Sequence, residues 1–481
     1  MNIKSLILIG FLSSIISLPA LANEKNELTI YQVMQRVLDR YPSLKISEME
    51  VSQAAEQRLQ VESSLGWILD SSAGIKHDLT GLGTPSDRLD ITGSIGRQLK
   101  SGATLSLSGG YTYEDSSLTF SPSFPNPAHT TRLDLSYRLP LSQGQGNPQY
   151  TEGLISAEAG YALTKANQLL TRITLAEKVK DLFYSLLATR ARLINAEQAV
   201  QRTRKLQNYI NNNFKLGLTE NKDQLQIKAQ LDSSLADLHA IQLQWKQQQT
   251  SMNRLMLEDW NKEVKPILFS PRNNTSYKII NLIKKTTVYH PAVKISQAKL
   301  EMAESQITTA LDTKRDNLDL VLSVGTRTSD GDSMTGTVNE KDWAGAVSIQ
   351  YKHLFDDKGV SSKHKQALLE KNIALENMIK TNDDIRYTVS GLVSEIEAAK
   401  IAVKSANQKL VSESLKLKEA EQRFRNGRAD TAQLIQFQNE YSFAQLAFQN
   451  QTVDLNNRIV ALQIFTGKFW EEISSKNGVT K

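Results

Sequence analysis

The chain has 481 residues, 57 Lys and Arg against 51 Asp and Glu, a net charge of +6, and no cysteine. Without cysteine there can be no disulfide, no thiolate metal site and no lipid-modified amino-terminal thiol. The small positive excess is spread among acidic residues rather than clustered, which argues against nucleic acid as a partner.

In chain order, residues 1–22 are predicted to be a signal peptide. Lys4 supplies the positive start, "LILIGFLSSIISL" the apolar run, and Ala20-Leu21-Ala22 the small-residue cleavage site. Beyond it no stretch offers 18 uninterrupted apolar residues, so no transmembrane helix is expected. An exported chain of this kind is either soluble or enters lipid as a closed β-barrel.

The length would suit about three domains, yet no Pro/Gly/Ser-rich linker divides it. The sequence instead repeats. Tyr41-Pro-Ser-Leu-Lys-Ile-Ser47 returns as His290-Pro-Ala-Val-Lys-Ile-Ser296, and Leu135-Ser-Tyr-Arg as Ile349-Gln-Tyr-Lys. "NFKLGLTENKDQLQ" around Gly217 returns as "RFRNGRADTAQLIQ" around Gly427. Two repeats, 23–265 and 266–481, are expected to form one structural unit, each running helix, strands, long helical hairpin. The first carries about 35 extra residues before its last strand.

Short alternating segments at 67–75, 133–141, 317–324 and 343–355 predict about four strands. Residues 86–113 read as a further β-hairpin around Lys100-Ser-Gly102, which either extends the barrel strands, adds strands to the barrel to make six per chain, or forms an outward extension. After each strand set comes a stripe of apolar and small residues at three/four spacing. It runs from Val179 through Leu186, Val200 and Ile210, and again from Ile385 through Val389, Ile396 and Leu417. Returning helices are expected at 220–257 and 430–466. Gly217 and Gly427 fit the left-handed position that closes a helix, and Thr219 and Asp430 fit the N-caps of the helices that follow. No cofactor, metal site or enzymatic activity is expected. The six histidines lack paired ligand spacing, and neither a phosphate-binding glycine loop nor a nucleophile–base set stands out.

This layout resembles the TolC-like outer membrane efflux and secretion channels, the outer membrane factors. The most specific pieces are "FKLGLTENKDQLQIKAQLD" and "YRLPLSQGQG". The resemblance implies an α+β membrane protein: a homotrimer whose chains jointly build a twelve-stranded transmembrane β-barrel in outer membrane lipid, continued by a long periplasmic α-helical barrel. It implies passive export of substrates, as the exit duct of a tripartite efflux pump or a type I secretion system. The implied partners are a periplasmic adaptor (membrane fusion protein) and an inner-membrane pump of RND or ABC type, in a Gram-negative envelope. A structural or adhesive coiled-coil protein of the envelope is the alternative. Acidic residues at the hairpin tips ring the periplasmic aperture in that family, and Asp223 matches the first of them. Gln433 and Gln436 stand where some members carry an aspartate ring. Asp223, with Glu220, is expected to pair with Arg428 or Arg425 between neighbouring hairpins and bias the aperture shut.

Overall fold

The computed structural model describes residues 27–79, 85–116, 125–267 and 277–476; the signal peptide expected at 1–22 lies outside them. Strand β1 (Glu27–Leu28) leads into helices α1 (Ile30–Arg40) and α2 (Pro42–Ser63). Four strands follow: β2 (Ile68–Leu79), β3 (Pro85–Gln98), β4 (Thr104–Ser116) and β5 (Ala128–Pro140). Helices α3 (Pro148–Lys215) and α4 (Asn221–Met256) come next. The order then runs again: β6 (Lys265–Pro266), α5 (Ile279–Tyr289), α6 (Pro291–Asp312), β7 (Asn317–Ser333), β8 (Gly336–Lys352), α7 (Lys358–Arg425), α8 (Thr431–Phe465) and α9 (Lys468–Lys476). Equivalent helices match in length, 11 residues for α1 and α5, 22 for α2 and α6, and 68 for α3 and α7.

The described residues fall into two compact units. The first takes in 27–39, 179–267 and 401–457. In it, α3, α4, α7 and α8 share a core of Leu206, Ile210, Ile227, Leu417, Ala420, Leu434 and Ile435. Ile210 and Leu417 are stripe positions of the sequence, and the three/four spacing of the stripe is why each helix buries only one seam. Polar residues also lie in the seam. Asn195 donates from Nδ2 to the Ser442 carbonyl at 2.9 Å, and Gln445 donates to Gln198 Oε1 at 3.3 Å. Arg202 donates to the Ser442 hydroxyl and lies over the Tyr441 ring.

The second unit takes in 40–178, 277–400 and 458–476. It holds one antiparallel sheet in the order β2-β3-β4-β5-β7-β8. Where about four strands were expected the sheet has six, because residues 86–113 supply β3 and β4, inserted between β2 and β5. The turn joining them is tight: Leu99 N–H donates to Ala103 at 2.8 Å and Gly102 N–H to Leu99 at 2.9 Å. Gly102 has φ +88, and a Cβ there would stand 2.1 Å from the Gly144 carbonyl oxygen, so only glycine fits. The turn also accepts from the strand-to-helix junction. Gly146 N–H donates to Ser101 at 2.9 Å, and Asn147 Nδ2 to Leu99 at 3.3 Å. Asn147 in turn caps α3 by accepting from Tyr150 N–H at 3.2 Å, with Pro148 at the first helical position.

At the start of α6, His290 is the N-cap, accepting from Ala292 N–H through Nδ1 at 3.2 Å. Its ring is buried and lies 4.7 Å from that of Phe465. Burial holds the imidazole below its ordinary pKa, in the neutral form that can accept. The matching position before α2 is Tyr41, which makes no side-chain cap.

Candidate functional site: a two-faced sheet and two hairpin tips

Directly opposed residues in neighbouring strands share a face, so the register can be read straight across the sheet. One row runs Leu69, Ile95, Leu107, Leu135, Val324, Gly345. The next, one residue along, runs Asp70, Ser94, Ser108, Asp134, Gly325, Ala344. The first face continues with Ile91 and Tyr111, with Tyr137, Leu322 and Val347, and with Leu320 and Ile349. Ile91, Leu107, Leu133, Val324 and Ile349 are exposed. A broad exposed apolar face with no core behind it is costly in water and stable against lipid.

The opposite face is hydrogen-bonded within itself. Asp90 accepts from Arg88 Nε at 2.7 Å and from Thr112 Oγ1 at 2.8 Å. Near the helix end of the sheet Arg138 donates from Nε to the buried Asp319 at 2.8 Å. Each strand has 12–17 residues, more than the roughly 9–11 that a tilted strand needs to cross a bilayer. Among the described residues no helix is long and apolar enough to do so.

In the other unit the two hairpin tips share one backbone solution. After α3, Gly217 (φ +72) donates to Phe214 at 2.9 Å and Leu218 to Asn213 at 2.8 Å. After α7, Gly427 (φ +68) donates to Phe424 at 3.0 Å and Arg428 to Arg423 at 2.9 Å. This paired closure uses the left-handed glycine to satisfy carbonyls that the helix end would leave open. The Phe-x-x-Gly spacing is its sequence signature.

The caps of the returning helices differ. Asp430 caps α8, its Oδ1 accepting from Gln433 N–H at 2.6 Å. For α4 the cap is Glu220 rather than Thr219. Glu220 and Asp223 form a reciprocal capping box, Glu220 N–H reaching Asp223 Oδ2 at 3.4 Å. Thr219 instead donates to the Ile210 carbonyl at 3.4 Å. Asp223 is half-buried, whereas Glu220, Arg425, Arg428, Gln433 and Gln436 are exposed. Glu220 also pairs with Lys222 at 3.3 Å, and Gln436 donates to Glu440 at 2.9 Å. The structure thus brings Glu220 and Asp223 together. Among the described residues of this one chain it does not bring Arg425 or Arg428 onto either.

A model of the outer membrane efflux protein family matches residues 33–256. Over that stretch the chain is similar to the outer membrane efflux proteins. The match spans the first helices, the strands through β5, and the whole first hairpin. Solved structures extend the likeness in fold across both halves. The outer membrane protein VceC from Vibrio cholerae is 14% identical, with a TM-score of 0.68, 91% of this chain and 96% of that one being covered. The CmeC outer membrane channel of Campylobacter jejuni is 16% identical, with a TM-score of 0.64 and coverage of 94% and 89%. The open-state MtrE outer membrane channel of Neisseria gonorrhoeae is 12% identical, with a TM-score of 0.63 and coverage of 91% and 88%. No curated protein matches the sequence. The efflux-family resemblance read from the sequence is therefore correct. The capping box was the missed feature, although Glu220 and Asp223 stand at the reciprocal spacing it requires.

Proposed function

We propose that this chain is one of three subunits of an outer membrane channel, an exit duct through which a tripartite efflux pump or a type I secretion system exports its cargo. The observation that carries this reading is the two-faced sheet. Its apolar rows suit lipid and its polar rows suit a water-filled lumen, and a barrel is the form in which a sheet can cross a membrane. Among the described residues the sheet leaves β2 and β8 each with one unpaired edge, so closure calls on further copies of the chain. The long hairpins support a periplasmic extension reaching an adaptor and an inner-membrane pump. The matched helix lengths support two repeats in one structural unit, at 23–265 and 266–481. Membrane fractionation and the mass of the detergent-extracted particle test the reading; a water-soluble monomer would refute it.

The tips would form the periplasmic aperture. Arg425 and Arg428 of one hairpin would meet Asp223 and Glu220 of the neighbouring subunit and hold it closed. Each exposed pair is worth only about 0–1 kcal/mol, but three-fold symmetry makes opening break all of them together. With Gln433 and Gln436 in place of a carboxylate ring, block by divalent cations should be weak. In a planar bilayer Asp223→Ala should raise open probability, and an unchanged value would remove Asp223 from the gate.

A further inference from the structure

Resting on the three-subunit reading, we infer that the chain closes into an eighteen-stranded barrel, in which β3 and β4 are wall strands and β8 of each copy pairs with β2 of the next. The twelve-stranded barrel implied by the resemblance would need four strands per chain, and this sheet has six.

Three observations carry the inference. First, β3 and β4 obey the same face rule as the rest of the sheet. Ile91, Ile95, Leu105 and Leu107 fall in the apolar rows and Ser94, Thr92, Ser106 and Ser108 in the polar ones, in unbroken register with β2 on one side and β5 on the other. A hairpin projecting beyond the membrane would have no reason to keep that alternation.

Second, the β3–β4 turn sits at the helix end of the sheet. It is bonded to Gly146 and Asn147, just before α3 begins. Both strands therefore run the length of the sheet, with a short turn on the side where the helices attach, as transmembrane barrels place their short turns on the periplasmic side.

Third, the sheet's outer edges look like the two sides of one missing joint. Apolar residues on inner strands are partly covered by neighbours, Ile95 being 38% and Leu322 37% exposed. Their counterparts on the edge strands are far barer, with Leu69 76% and Val347 75% exposed. In an antiparallel sheet with an even number of strands, β2 and β8 run in opposite directions. Joining β8 to the β2 of a second copy head to tail thus continues the antiparallel pattern and keeps the apolar rows on one side. The occupant of both edges is another copy of this chain.

Barrel diameter grows roughly in proportion to strand number, so eighteen strands give about one and a half times the diameter of twelve and about twice the open area.

The test uses the full chain, extracted from outer membranes in detergent and imaged as single particles. A three-fold ring with eighteen strand sections is the expected result. A three-fold ring of twelve, with β3 and β4 outside the wall, would overturn the inference and leave the channel reading standing. A two-fold ring, or no ring, would overturn both. Because the chain has no cysteine, nitroxide labels at Ile91→Cys and Thr92→Cys in liposomes give an independent readout. The label at 91 should be severalfold more accessible to oxygen than to a water-soluble nickel relaxant, with the order reversed at 92. Equal access to the nickel relaxant at both sites would place β3 outside the membrane wall.

Discussion

The two hairpin tips make the same turn with different chemistry. At both, a glycine three residues after a phenylalanine takes the left-handed backbone, and the same pair of carbonyls is satisfied. Around that fixed backbone the charges differ. The first tip carries the Glu220–Asp223 capping box; the second carries Arg425 and Arg428 and a single aspartate cap. Geometry at such a turn is set by which residues can adopt φ > 0. Side-chain charge is therefore free to serve whatever lies opposite.

Substitutions at matched positions can sharpen or break this comparison. The largest effect should come from the core the tips share. Ile210→Ala, at a fully buried position, should cost about 2–5 kcal/mol in denaturant unfolding. Loosening of one hairpin alone would show that the two are not packed as one core. Next come the glycines. Gly217→Ala and Gly427→Ala each force an L side chain into the left-handed region, at roughly 1–2 kcal/mol, and the two losses should be equal. A clear inequality would mean that one tip can adopt another turn.

The caps should differ in kind. Asp430→Ala should cost about 1 kcal/mol. Glu220→Ala should cost less, because the Asp223 half of the box remains in place. Protease nicking at the tips reads both.

The smallest effect concerns the other matched pair, Tyr41 and His290. Because the pKa of His290 is depressed in the fold, the stability of its cap is fully present above the ordinary histidine value of about 6.5 and is lost as pH falls below it. Melting temperature should fall between pH 7.5 and pH 5, because protonation places a charge on a buried ring and removes the acceptor of the cap. His290→Asn, which can still accept, should flatten that dependence. Tyr41→Phe should leave it unchanged, since Tyr41 makes no side-chain cap.

Much of this was legible in the sequence because the signals were local. Val179, Leu186, Val200 and Ile210 recur at helical spacing, and all are buried. Gly217 and Gly427 announced their turns by position alone. The strand count was harder, because sheet pairing is non-local and the inserted strands are diluted by glycine. Gly93, Gly96, Gly109 and Gly110 interrupt the alternation of β3 and β4. Only the register restores it, by aligning Ile95 with Leu69 and Leu107. Thr219 misled because threonine is a common cap; the box one residue later satisfies two backbone donors at once.

The hydrogen bonds between the β3–β4 turn and Gly146 and Asn147 also bear on how such a hairpin could ever be removed. Excising it would strip the Gly146 amide and the Asn147 side chain of their acceptors at the point where a 68-residue helix begins. A shortened descendant of this protein would have to redesign its neck, not merely trim its wall.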